Sequence, residues 1–276
     1  MTTAITQEIE ELLTEVLKQQ ASDLHISVAR HPTLRIYGNM VPLTKHKVVT
    51  PEHARDLIFA LISQEQQTRF IADKELDFSY TFRDQARFRV NIFFQRGFMG
   101  AALRSIPAVI RNFDELHLPP ILNEFANFTQ GFFLVVGPTG HGKSTTLASM
   151  IDVVNKTRAD HIVTIEDPIE YLFISEKATI DQREIGSDTQ SFSTALRSLF
   201  REDVDVAMIG EMRDAETMGA AVTAAETGHL ILSTLHTNNA AQTIDRIIDT
   251  FPPAQQGQIR SQLSLVLLGI VSQRLI

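Results

Sequence analysis

The stretch Gly137-Pro138-Thr139-Gly140-His141-Gly142-Lys143-Ser144 sets glycines, one lysine and one hydroxyl at the spacing G-x-x-x-x-G-K-[ST]. Each residue type has a physical use there. Glycines let the backbone curl so that N–H groups point inward at oxyanions. A helix that starts at the lysine adds the positive end of its dipole. The lysine reaches the outer phosphates of a nucleoside triphosphate, and the hydroxyl after it can ligate Mg²⁺. By average residue usage, a chance match in such a chain has odds of about one in a hundred. The context lowers them: an apolar run, Phe132 to Val136, precedes the loop, and a helical pattern, Lys143 to Asn155, follows it. The spacing predicts a site for ATP and Mg²⁺ at Gly137 through Ser144, with Thr145 continuing it into the helix.

Hydrolysis at such a loop needs carboxylates to hold the metal and orient water. Two acidic clusters are available. Glu166, Asp167 and Glu170 follow the run His161 to Ile165, and Glu211 and Asp214 follow Val206 to Ile209. Both sit where parallel α/β sheets bind ligands, at the carboxyl ends of strands. The usual pattern ends the second run with Asp; here Gly210 takes that place and Glu211 comes next. On chemistry alone Glu211 is the water-orienting base and the Glu166 cluster supports Mg²⁺. The competing reading, an acid that caps a helix N-terminus, stays open for both. Gly228-His229 precedes a further apolar run, and Ser233-Thr234-Leu235-His236-Thr237-Asn238 closes it. Polar side chains at that end can sense a γ-phosphate. A lone histidine is more often structural, but His236 gains weight because a neighbouring strand end would face the same loop.

The elements that must position these groups follow from periodicity. From Pro119 onward, near-continuous apolar strands alternate with helices, the pattern of a parallel sheet covered on both faces. The earlier part differs. Ile5, Ile9, Leu12, Leu13 and Val16 recur at helical spacing. Short strands are expected at Leu24 to Val28, Leu34 to Tyr37, Asp77 to Phe82 and Met99 to Ile106, with helices at Pro51 to Ile62 and Gln64 to Ala72. In Arg87 to Phe94, Phe88, Val90, Ile92 and Phe94 alternate with Arg87, Arg89 and Asn91, and Asp84-Gln85 before them suits a hairpin turn. Hairpins with helices grouped beside them predict an α+β first domain. Pro107 and Pro119-Pro120 punctuate the middle. We therefore expect a first domain over 1–105, a linker over 106–118 and an ATPase domain over 119–276.

Bulk composition narrows the classes. The chain has 276 residues, 43% hydrophobic, enough for real cores. A net charge of -8 argues against strong non-specific nucleic-acid binding, and the absence of Trp with three Tyr gives little to stack bases on. Cysteine is absent, which excludes disulfides and thiolate metal sites. The first residues have no basic start and no apolar core, so no signal peptide is expected in them. No run approaches the roughly 18 apolar residues that cross a bilayer.

Four boxes together resemble those of the secretion ATPases: Gly137 to Ser144 (Walker A), Thr164-Ile-Glu-Asp-Pro-Ile-Glu170 (Asp box), Ile209-Gly-Glu-Met-Arg-Asp214 (Walker B) and Gly228-His with Thr234-Leu-His-Thr237 (His box). A Gly in place of the Walker B Asp is a habit of that superfamily. Within it, Ala21-Ser-Asp-Leu-His-Ile26, Arg87-Phe-Arg-Val-Asn91, Gln95-Arg-Gly97 and Thr243-Ile-Asp-Arg246 resemble the branch that retracts type IV pili, over nearly the whole chain. The resemblance implies an α/β protein: a PAS-like N-terminal α+β domain, then a RecA-like P-loop domain with a mainly parallel sheet. It implies a homo-hexameric ring that hydrolyses ATP with Mg²⁺ and acts on a platform protein at the cytoplasmic face of the bacterial inner membrane, with no specific nucleic acid. It makes Glu211 the catalytic glutamate, gives Glu166 a share in metal and water, and puts His229 and His236 in the His box. It also brings Arg89 and Arg104 toward nucleotide phosphates, although alternation alone makes Arg89 a solvated strand face. The family continues past the equivalent of Ser272-Gln-Arg-Leu-Ile276 with a helical segment tied to retraction, so truncation or disorder of that segment is expected. Pilus-extension and type II secretion ATPases usually carry a longer N-terminal part and a Cys-rich zinc motif, and this chain has neither.

Overall fold

The computed structural model describes residues 2–83, 86–106 and 109–275; the turn expected at Asp84-Gln85 and the position of Pro107 lie outside them. The chain forms two compact units, Met1–Ala108 and Val109–Ile276.

The first unit opens with α1 (Thr2–Lys18), whose helical-spaced Ile9, Leu12, Leu13 and Val16 are fully buried. Then come β1 (Asp23–Ile26), β2 (Thr33–Ile36), β3 (Asn39–Pro42), α2 (Pro51–Phe59), α3 (Gln64–Asp73), β4 (Glu75–Phe82), β5 (Ala86–Gln95) and β6 (Phe98–Ile106). The strands form one six-stranded sheet in the order β3-β2-β1-β6-β5-β4, and every pair is antiparallel. On β5 the alternation read from sequence holds: Phe88, Val90 and Ile92 are buried and Arg89 is exposed. Strand β3 is an addition. Its four residues are all exposed at the sheet edge, so no apolar alternation announces it. Helix α2 ends before the expected Ile62. Ser63 caps α3 through a capping box with Gln66, so the chain must leave the helical path before it.

The second unit runs α4 (Leu122–Ala126), β7 (Gly131–Val136), α5 (Lys143–Thr157), β8 (His161–Glu166), β9 (Thr179–Glu184), α6 (Phe192–Leu199), β10 (Val206–Ile209), α7 (Ala215–Glu226), β11 (Leu230–Leu235), α8 (Ala240–Thr250), α9 (Pro253–Val266) and β12 (Leu267–Ser272). Its sheet has the order β12-β7-β11-β10-β8-β9, and all the pairings are parallel. The mainly parallel sheet expected from sequence is therefore present. Both faces are covered. Phe132, Leu134 and Val136 of β7 pack into one core, while Phe133 and Val135 pack into another on the opposite face. That two-sided burial is why the strand reads as an unbroken apolar run. The strand order sets the carboxyl ends of β7, β11, β10 and β8 side by side, and the residues after those ends are Gly137, His236, Gly210 with Glu211, and Asp167 directly after Glu166. Among the described residues, no helix is long and apolar enough to cross a membrane.

Candidate active site

The loop between β7 and α5 is shaped by its glycines. Gly137, Gly140 and Gly142 have φ of +151°, +81° and +81°, values that an L side chain rarely adopts. Gly142 is the N-cap of α5, so the helix begins at Lys143 with no side chain bonded over its first N–H groups. Those N–H groups and the helix dipole are left to an incoming anion.

Lys143 is buried at 7% exposure, and its ammonium donates to the carbonyls of Gly137 and Pro138, both at 2.9 Å. Burial lowers its pKa, against the pull of Glu211 and Glu170. The ammonium also lies 3.5 Å from His236 Nδ1, and Thr139 Oγ1 lies 3.3 Å from the same nitrogen. On the other side of the ring, His236 Nε2 is 3.3 Å from Glu211 Oε1. A lysine can only donate, so its contact assigns Nδ1 as acceptor and puts the ring proton on Nε2, facing Glu211. His236 thus bridges the loop lysine and the carboxylate after β10.

Glu211 is half-buried and accepts from Arg213 Nη2 at 2.8 Å. That hydrogen bond holds its carboxyl below the ordinary glutamate range; burial opposes it, and the charge of Arg213 and the hydrogen bond from His236 add to the lowering. It is therefore an anion, suited to accept a hydrogen bond from water more than to keep a proton. In the sequence Arg213 is only part of the Ile209–Asp214 box, and nothing local there signals its grip on Glu211. Asp214, and not Glu211, is the N-cap of α7 and accepts from Thr217 N at 2.8 Å.

Glu166 is 5% exposed, and burial pushes its pKa up to about 7. Thr164 Oγ1 donates to it at 2.7 Å, Gln182 Nε2 at 3.2 Å and the Glu170 N–H at 3.1 Å. Those bonds lower the pKa but do not offset the burial. Glu166 caps no helix; it ties β8 to the turn that follows. Gln182 was missed because β9, Thr-Ile-Asp-Gln-Arg-Glu, is a polar edge strand with no apolar alternation. Its amide also accepts from Phe173 N and donates to Tyr171 O, so it pins the turn after β8. Tyr171 OH in turn meets Thr145 Oγ1 at 2.8 Å. The glycine in the aspartate position has a physical account: a Cβ on Gly210 would lie 3.5 Å from Glu166 Cα and 3.9 Å from its Cγ. An Asp there would set a second carboxylate beside a buried one.

The structure does not bring His229 to this cluster. It precedes β11, at the opposite end from His236, roughly 20 Å away across the six residues of the strand. Its Nδ1 meets Ala224 O at 2.9 Å, and its ring packs edge-on against Phe200. Within the chain these contacts hold it away from the phosphate loop. In the first unit, Arg104 Nε donates to Asp23 Oδ1 at 2.9 Å, and exposed Arg89 faces Arg104 across the β5–β6 pair.

Among the described residues, no group of three or more His, Cys, Asp or Glu is arranged to hold a metal ion. The donors near the loop are the Ser144 hydroxyl and carboxylates, the hard oxygens that suit Mg²⁺. Glu166 already accepts three hydrogen bonds, which leaves about one lone-pair site for a metal. This set fits an ion that arrives with phosphates and completes its shell from them.

The chain is similar to known proteins over nearly its whole length. The model of the family described as Type II/IV secretion system protein matches residues 2–276. The type IV pilus retraction ATPase PilT of Pseudomonas aeruginosa is 46% identical over 273 residues, 98% of this chain and 78% of that protein. A crystal structure of the pilus retraction motor PilT with bound ADP superposes with a TM-score of 0.92 at 47% identity, covering 97% of this chain and 78% of the other. The ATPase DotB of Legionella pneumophila gives a TM-score of 0.84 at 29% identity, covering 95% and 74%.

Proposed function

Because the chain belongs to the Type II/IV secretion system protein family, we propose that it is a Mg²⁺-dependent ATPase of the pilus-retraction kind. The observation that carries the reading is the Lys143–His236–Glu211 chain at the mouth of a glycine loop. In the resting loop Lys143 satisfies its charge on two loop carbonyls. The β- and γ-phosphates take over that ammonium, aided by the N–H groups of Gly142 to Thr145 at the start of α5. Glu211 accepts from the attacking water, and His236 links the state of the γ-phosphate to that carboxylate. Ser144 and one oxygen of Glu166 would hold Mg²⁺, which when bound would supply positive charge to neutralise that on the transferred phosphoryl group. Pro138, Thr139, Gly140 and His141 complete the cradle.

We further assign the region before residue 106 to a PAS-like domain, 106–118 to a linker and 119–276 to a RecA-like domain. The working form is a homo-hexamer that acts on a platform protein at the inner face of the bacterial inner membrane. In that ring Arg89 and Arg104 supply guanidinium charge to phosphates. Support for this layer comes from likeness over 98% of this chain to a retraction ATPase. The test is ATP turnover against protein concentration with mass measured in parallel. Activity that rises with hexamer content is expected; full activity in a dilute monomer would overturn the ring assignment.

A further inference from the structure

We propose that Gln273 is a positioning residue for nucleotide binding: the segment after β12 braces the phosphate loop at both of its ends and at the first turn of α5. The proposal rests on the ATPase reading above. The Gln273 N–H donates to Val136 O at 2.8 Å, carrying the β12–β7 pairing one residue beyond Ser272 and Val136. Its carbonyl then lies against the first loop glycine, where a Cβ on Gly137 would sit 2.3 Å from Gln273 O. Its side chain turns to the other end of the loop. The amide oxygen accepts from Thr146 Oγ1 at 2.8 Å, and the amide nitrogen lies 2.9 Å from where a Cβ on Gly142 would be. Two residues on, the Leu275 N–H donates to His141 Nδ1 at 3.0 Å.

The loop needs such a brace. Its three glycines at positive φ give it the backbone freedom to cradle phosphates and, equally, the freedom to lose that shape. Its inward N–H groups bind well only if they are already in place, since ordering them on binding subtracts from affinity. Val136, Gly137, Gly142 and Thr146 bracket the loop and its lysine, and Gln273 touches all four. An amide suits the position because it offers an acceptor to the Thr146 hydroxyl and a donor beside Gly142 in one planar group. Thr146 is 1% exposed, so its hydroxyl has no solvent to replace that acceptor.

The experiment compares Gln273→Met, which keeps the length and loses both polar atoms, with Thr146→Val, Thr146→Ser and the Gln273→Met/Thr146→Val double variant. Mg-ADP affinity is measured by calorimetry on the full chain, and KM and kcat for ATP are measured beside it. Each single variant is expected to weaken ADP binding roughly two- to tenfold, the net worth of one hydrogen bond. The double variant binds no more weakly than the weaker single, because both remove one interaction. Thr146→Ser, which keeps the hydroxyl, binds as the parent does. KM rises while kcat stays within about twofold, the mark of lost ground-state positioning. Parental affinity in Gln273→Met and Thr146→Val, or losses that add in the double variant, would overturn the proposal. Should Gln273→Met not fold, the Thr146→Val and Thr146→Ser pair decides alone: equal affinities overturn it. Failure of the parent chain itself to bind ADP would instead remove the ATPase reading beneath it.

Discussion

Replacing Glu166 by Gln changes how stability depends on pH, and the size of that change follows from the burial of one carboxyl. In the folded, nucleotide-free chain, desolvation holds Glu166 near a pKa of about 7, against 4.5 as the ordinary value. Between those values the native state binds more protons than the unfolded one, so stability falls as pH rises through the window. Below 4.5 both states are protonated and nothing is lost; above about 7 both are ionised and the loss is complete. At about 1.4 kcal/mol per pH unit the whole effect is ~3 kcal/mol, of which about 2 kcal/mol develops between pH 5.5 and 8. A glutamine cannot ionise, so its curve lacks this tilt. It can lose a hydrogen bond, because Thr164, Gln182 and the Glu170 N–H all donate to the carboxylate. That loss offsets the curve without tilting it. The assay is urea unfolding of both proteins with a metal chelator and no nucleotide, at half-unit steps over that range. The parent is expected to lose about 2 kcal/mol relative to the variant from the acid to the alkaline end. Parallel curves would refute the reasoning and mean that Glu166 is ionised throughout.

Three further outcomes follow. Glu211→Gln keeps Mg-ATP affinity and lowers kcat by at least about 100-fold in steady-state assays, because it removes the acceptor for the attacking water. His236→Ala, which cuts the bridge between Lys143 and Glu211, lowers kcat by about tenfold or more while His229→Ala leaves it near the parent value, as read from the same assay; equal losses would restore His229 to the site. Asp214→Ala removes the N-cap of α7 and lowers unfolding stability by about 1 kcal/mol in denaturant titration.

What the sequence disclosed was whatever has a local signature. The phosphate loop is contiguous, and its glycines, lysine and hydroxyl are demanded by backbone geometry and charge, so Gly137 to Ser144 could be read directly. Strands β7, β8, β10 and β11 are buried on both faces and show as apolar runs. Edge strand β9 carries Thr, Asp, Gln, Arg and Glu and gives no apolar alternation to read. Strand β12 follows α9 with no turn residue between Val266 and Leu267, so its apolar run could not be told from more helix. Missing those two strands hid Gln182 and Gln273, the amides that fix the turn beside Glu166 and the phosphate loop. Each acts through partners distant in sequence, Tyr171 and Phe173 for one, Val136 and Thr146 for the other. The position of His229 has a related cause: its nearness to β11 was visible, but which end of the strand it occupies matters only once the sheet is assembled.

The most direct measurement is calorimetric titration of Mg-ATP into the Glu211→Gln chain, where slow turnover keeps the triphosphate intact, with Glu211→Gln/Lys143→Ala as the partner sample. One nucleotide should bind per chain to the first protein, and binding should be lost in the second with the fold intact by circular dichroism. Equal uptake by both proteins would show that the glycine loop and its lysine are not where the nucleotide is held.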